Sequence, residues 1–130
     1  MTTILIHNAR LIDPEAGTVT PGSLLIQDGR IAAMGAEVAV PDGARVIDAR
    51  GACLAPGIVD IGVKVCEPGE RHKESFRSAG LAAAAGGVTT IVTRPDTTPA
   101  IDSPETLEFV TRRANEAAPV RVLPMAALTK

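Results

Sequence analysis

Two histidines, two cysteines and a short run of alternating residues hold most of the chemistry this chain can offer. The run is Leu54-Ala-Pro-Gly-Ile-Val-Asp-Ile-Gly-Val-Lys-Val-Cys-Glu-Pro-Gly69. Within it Ile58–Val65 alternates strictly, the pattern of a strand with two distinct faces. Val59, Ile61, Val63 and Val65 are expected on one face, packed under helices. Asp60, Gly62 and Lys64 are expected on the other. Gly62 offers no ligand, and a protonated Lys64 repels a cation rather than binding one. Cys66 could serve as a thiolate ligand or nucleophile, but no histidine neighbours it in sequence, and a plain thiol is the simpler reading. His72 could ligate a metal, but it sits where a helix is expected to begin, which suits a capping or surface role. His7 lies among short strands and reads as structural.

The elements that must place these residues change character near residue 55. Residues 1–55 read as short strands with tight turns, starting with Ile4–Ile6 and Leu11–Ile12. Asp28-Gly29 lies between the apolar runs Ser23–Gln27 and Arg30–Met34. Asp-Gly in that setting signals a type I′ hairpin, because both central residues need positive φ. Arg45–Asp48 is a further short strand after Pro41-Asp-Gly43. This half is expected to form an antiparallel sheet, one side of a β-sandwich.

Residues 56–130 read differently. After the strand containing Asp60 comes an Ala-rich helix expected over His72–Ala85. Glu74 lies in its first turn, Phe76, Ala79 and Ala83 form its apolar stripe, and Gly86-Gly87 is its stop. Val88–Thr93 is β-branched and extended. A loop, Arg94–Ala100, leads to a second helix capped by Ser103 with Pro104 at its first position. Leu107, Val110, Thr111 and Ala114 mark its stripe. Val120–Pro124 is the third strand. This order of strand, helix, strand, helix, strand implies a parallel sheet with right-handed crossovers.

The bulk properties narrow the classes of partner. The chain has 130 residues, 45% hydrophobic and 22% charged, with a net charge of -2. That balance favours neither nucleic acid nor an anionic membrane. It contains no Trp, no Tyr and two Phe, so the aromatic surfaces that stack on bases are missing. Cys53 and Cys66 read as free thiols of a reducing compartment. The N-terminus lacks a basic segment followed by a long apolar run, so no signal peptide is expected, and no apolar stretch approaches the roughly 20 residues that span a bilayer. A cytoplasmic location is the expectation.

Three segments, Asp28–Gly35, Val46–Gly51 and Ala55–Asp60, together resemble the N-terminal third of the amidohydrolase superfamily. Glu67-Pro-Gly69, His72-Lys-Glu74, Ala82–Thr90 and Pro95-Asp-Thr-Thr-Pro99 narrow the resemblance to dihydroorotase and its cyclic-amide relatives, allantoinase and hydantoinase. The likeness runs over essentially the whole chain. It implies a β-sandwich beside a (β/α)₈ barrel, and a zinc centre that activates water against a cyclic amide, with metal ligands at the C-terminal ends of barrel strands. A complete barrel takes about 250 residues. The expected fold is therefore α/β, a sandwich part followed by the first strands and helices of an incomplete barrel, in a fragment of a longer protein.

The family's signature reads Pro-Gly-x-x-Asp-x-His-x-His. Pro56, Gly57 and Asp60 are in place, while Gly62 and Lys64 stand at the two histidine positions. Cys66 stands where the family has an Arg for the substrate carboxylate, so a guanidinium fork is missing. Asp96 replaces the Asn of a Pro-Asn-Thr motif, and its carboxylate would repel an anionic substrate such as carbamoyl aspartate. Asp60 precedes the family's ligands and suits internal hydrogen bonding. No cofactor is expected on this segment, although the family would use zinc. Lys64 and Asp96 should lie at adjacent strand ends, where a salt bridge would replace the charge of a metal. The alternatives are Asp60 as the partner, or two charges solvated separately.

The resemblance thus implies a dihydroorotase-like protein of pyrimidine synthesis without catalysis of its own, a structural or regulatory partner of aspartate transcarbamoylase or of itself. The other reading is an active cyclic amidohydrolase, acting on a small cyclic amide through ligands beyond residue 130. A small stand-alone binding module is a third.

Overall fold

Asp28 and Gly29 both hold positive φ, 48° and 77°, as a two-residue hairpin turn requires. They join β2 (Thr18–Gln27) to β3 (Arg30–Gly35) in antiparallel register. The computed structural model describes residues 2–129 and separates into two compact units, Met1–Pro56 and Gly57–Lys130.

In the first unit the two expected N-terminal runs are one strand, β1 (Thr3–Asp13). Asn8, at φ 55°, and a shift of register between Ile6 and Ala9 interrupt its alternation. Asn is among the few side chains that tolerate this conformation. The strand order is β3-β2-β1-β4, with β4 (Arg45–Asp48) and the short β5 (Cys53–Leu54) both pairing with β1. Both run parallel to it, so the sheet is mixed rather than purely antiparallel. The cause is the connection: residues 36–44 carry no strand and bring the chain across to β1 in the same direction. Leu5, Ala9 and Leu25 are buried. His7 lies in β1 opposite Asp48.

The second unit is a three-stranded parallel sheet, β6-β7-β8 (Ile58–Val63, Val88–Thr93, Arg121–Pro124), alternating with α1 (Phe76–Ala85) and α2 (Pro104–Ala117). Its core is aliphatic apart from Phe76, joined by Val65, Ala79, Ile91, Ile101, Val110, Ala114 and Val122. The second helix starts as its sequence predicts: Ser103 Oγ accepts from the Thr106 N–H at 3.3 Å, and Pro104 occupies the first turn. Its stripe is narrower than expected, with Val110 and Ala114 buried, Leu107 half-buried and Thr111 exposed.

The first helix starts four residues later than the Ala-rich pattern suggests. Ser75 Oγ accepts from the Ser78 N–H at 3.1 Å, and Ser78 Oγ accepts from the Ser75 N–H at 3.0 Å. This reciprocal cap satisfies donors that a helix end leaves open, and it fixes the boundary. His72 therefore lies in a turn, and Glu74 precedes the cap instead of entering the first turn. Gly86 closes the helix, its N–H bonded to the Ala82 and Ala83 carbonyls.

The alternation of the first parallel strand is also not what it seems in sequence. Val59 and Ile61, expected under the helices, are 56% and 70% exposed. Asp60 stands in register with Ile91, whose side chain is buried in the core beneath the helices, so it is on the helix side. Gly62, at φ 91°, is skipped in the pairing between Ile61 and Val63. An extra residue of this kind reverses the facing of everything after it. Beyond it Val63 and Val65 do pack in the core, as expected.

Candidate functional site

The C-terminal ends of β6 and β7 are tied together by both backbone and side chains. The Arg94 N–H donates to the Val63 carbonyl at 2.9 Å, placing residues 94–96 beside residue 64. The loop that follows is anchored where the Ile101 N–H meets the Pro95 carbonyl at 3.1 Å, with the Ile101 side chain buried. Asp96 is therefore held at the sheet's end by the core beneath it.

At that end Lys64 Nζ donates to Asp96 Oδ2 at 2.8 Å, and Arg94 Nη2 donates to the same oxygen at 3.0 Å. The expected Lys64–Asp96 pair is formed, and Asp60, which lines the same cleft of about 320 Å³ as Lys64, is not its partner. The Lys64 hydrogen bond, helped by the charge of Arg94, holds the Asp96 carboxyl below the usual carboxylate range. Arg94 has no counterpart in the sequence reading. Its two-residue spacing from Asp96 on an extended loop is the signal that could have found it.

The remaining sequence candidates do not converge. Cys66 is a partly buried free thiol and Cys53 an exposed one in the first unit. His72 is exposed in its turn, and His7 belongs to the first unit. A Cβ at Gly62 would meet nothing within 4 Å, so space is available there, but the backbone conformation is one L side chains rarely adopt. Among the described residues, no group of three or more His, Cys, Asp or Glu is placed to hold a metal. The Lys64 ammonium at the end of β6 and the Arg94 guanidinium at the end of β7 do not fit a divalent cation, whose ligands must be lone-pair donors.

A second charged site went unread in the sequence. Glu67, met there only within the family-like segment Glu67-Pro-Gly69, is 4% exposed. Its Oε2 accepts from the Phe76 N–H at 3.0 Å, its Oε1 accepts from Arg113 Nε at 2.8 Å, and Arg71 Nε lies at 3.6 Å. Burial alone would push this carboxyl up. The Arg113 and Phe76 hydrogen bonds, with the charges of Arg113 and Arg71, outweigh burial and hold it below its usual range. Glu67 thus joins the turn after β6 to the start of α1 and to the face of α2. Arg113 lies 46 residues away, so no local pattern announces the pair.

Comparison with known proteins gives a consistent result. A family model described as dihydro-orotase-like matches residues 51–130. The chain is 44% identical over 125 residues to a dihydroorotase of Bacillus cytotoxicus, covering 96% of this chain and 29% of that protein. It is 45% identical over 128 residues to a dihydroorotase-like protein of Pseudomonas putida, covering 98% of this chain and 30% of that protein. Among solved structures, an L-hydantoinase (dihydropyrimidinase) from Arthrobacter aurescens superposes with a TM-score of 0.86 at 26% identity, over 97% of this chain and 28% of the other. A D-hydantoinase gives 0.77 at 29% identity, over 99% and 28%. The chain spans less than a third of the length of these relatives.

Proposed function

The chain belongs to the dihydroorotase-like family of the amidohydrolase superfamily, as an N-terminal portion, and from that premise we propose that its protein is a non-catalytic member acting as a structural or regulatory partner in pyrimidine synthesis. In this reading β6, β7 and β8 begin a (β/α)₈ barrel, and residues 1–55 contribute to a β-sandwich. Gly62 and Lys64 take the positions of a His-x-His metal clamp, and Cys66 and Asp96 those of two substrate contacts. The partner is aspartate transcarbamoylase or a second copy, and the setting is the cytoplasm. No helix is long and apolar enough to cross a membrane among the described residues.

The observation that supports this best is the bond from Lys64 Nζ to Asp96 Oδ2. On this reading of residue 64, a cation, already neutralised, stands where a cyclic amidohydrolase would need lone pairs for zinc. A carboxylate fixed in this pair cannot offer the amide contact expected of an Asn, and it disfavours a second anion nearby.

A second reading has its own support: relatives 40–44% identical to this chain carry the name dihydroorotase. In that reading the protein is an active cyclic amidohydrolase whose metal is held by residues beyond 130. Metal content and ring closure of carbamoyl aspartate, both measured on the full-length protein, separate the two. The first reading expects neither zinc nor turnover, and co-purification with a transcarbamoylase. Zinc near one per chain with turnover would establish the second.

A further inference from the structure

The missing clamp is written into the backbone as well as the side chains. Gly62 sits at φ 91°, past the usual edge of the small left-handed region that a few non-glycine residues, Asn foremost, visit. It is the unpaired residue between Ile61 and Val63, and the facing of the strand reverses there. Before it Asp60 is on the helix side, in register with Ile91; after it Val63 and Val65 enter the core and Lys64 reaches Asp96. Space does not dictate the glycine, because a Cβ would touch nothing within 4 Å. Conformation does.

We propose that β6 ends in a glycine-dependent bulge that directs Lys64 onto Asp96, so that restoring two histidines does not restore a metal site. This rests on reading positions 62 and 64 as the family's clamp. A side chain at 62 would either strain the bulge or shift the strand. Shifting it would turn Lys64 from Asp96 or pull Val63 and Val65 from the core. A His-x-His pair also needs both imidazoles to converge on one point, and a histidine at 62 could do so only from a backbone conformation that L side chains rarely adopt.

The test uses the full-length protein with Gly62→Ala, Gly62→Asn, Gly62→His and the double variant Gly62→His/Lys64→His, measuring melting temperature and zinc binding by calorimetry. Gly62→Ala and Gly62→His should each melt lower by about 3 °C or more, and Gly62→Asn should lose less, since Asn tolerates positive φ best. The double variant should bind zinc no more tightly than the unaltered protein. Ala and His variants that melt with the unaltered protein would overturn the proposal. So would an extra zinc per chain in the double variant. Zinc and turnover in the unaltered protein would instead defeat the non-catalytic reading, while the melting series would still judge the backbone.

Discussion

Lys64 and Asp96 meet at 2.8 Å while remaining 50% and 41% exposed, and Arg94, 51% exposed, shares the same carboxylate oxygen. Three half-exposed charges cannot contribute much stability in water, and salt should weaken what they contribute. Removing the anion is worse than removing one cation. Asp96→Asn leaves Lys64 and Arg94 facing each other, whereas Lys64→Met leaves an Arg94–Asp96 pair intact. We expect Asp96→Asn to melt lower than Lys64→Met at low salt, with the gap closing at about 1 M NaCl. Thermal melts of both variants across a salt series measure this. A gap that salt leaves unchanged would mean the loop geometry around Asp96, not charge, sets the order.

Glu67 is the opposite case, a carboxylate only 4% exposed. Glu67→Ala strands the Phe76 N–H at the start of α1 and removes the partner of Arg113. A buried N–H left without a partner costs about 1–3 kcal/mol, and Arg113, partly exposed and also near Glu116, adds little, so a loss of about 1–3 kcal/mol is expected. Glu67→Gln should lose less, because an amide oxygen can still accept one of the two bonds. Urea unfolding of the two variants gives the order directly, and equal losses would show that volume, not hydrogen bonding, governs the site.

The same carboxylate makes stability depend on pH. Its folded pKa lies below its ordinary value, so the ionised form is the stabilising one. The contribution is complete above the unfolded pKa of about 4.3 and disappears as pH falls through the lower folded value. The stability difference between the unaltered protein and Glu67→Gln should therefore hold steady down to about pH 5 and shrink by about pH 3. Urea midpoints over that range test the sign. A difference that widens in acid would require the folded carboxyl to be raised, contrary to its bonds to Arg113 and Phe76.

Local signals were readable in the sequence, and long-range ones only where strand order brought residues together. Asp28-Gly29 and Ser103-Pro104 act within a few residues, and both formed the turn and cap they announce. The pairing of Lys64 with Asp96 could be inferred because parallel strands bring their C-terminal ends together. The late start of α1 was hidden because His72–Glu74 is as polar as a first turn. What decides against it is the reciprocal bonding of Ser75 and Ser78. The faces of β6 were misread for a different reason. A strict apolar alternation through Val65 gives no hint that Gly62 would drop out of the pairing. The parallel direction of β4 depends on how residues 36–44 cross, and nothing in Arg45–Asp48 itself encodes it. Glu67 and Arg113 meet only once α2 packs in place.

Gly80 supplies a prediction in which two general rules disagree. It lies in the interior of α1, where Gly is less favourable than Ala by about 0.8–1.0 kcal/mol, so propensity alone makes Gly80→Ala stabilising. Packing says otherwise. A Cβ there would stand 2.7 Å from Pro119 Cδ and 3.1 Å from Ala118 Cβ, against the connection from α2 to β8. Pro119 is a rigid ring, and the Ala118 N–H is fixed to the Ala114 carbonyl at 2.9 Å, so neither neighbour can yield cheaply. Overpacking of this kind costs about 1–3 kcal/mol, which exceeds the propensity gain. Gly80→Ala should be destabilising. Gly86→Ala is the matched control: its φ is -88°, and a Cβ would lie no closer than 3.6 Å to its neighbours. There the smaller freedom of the unfolded chain should leave stability unchanged or raise it by up to about 1 kcal/mol. Urea unfolding of the two variants side by side decides the matter, and a stabilised Gly80→Ala would mean that α1 moves away from Ala118 and Pro119 more easily than this packing allows.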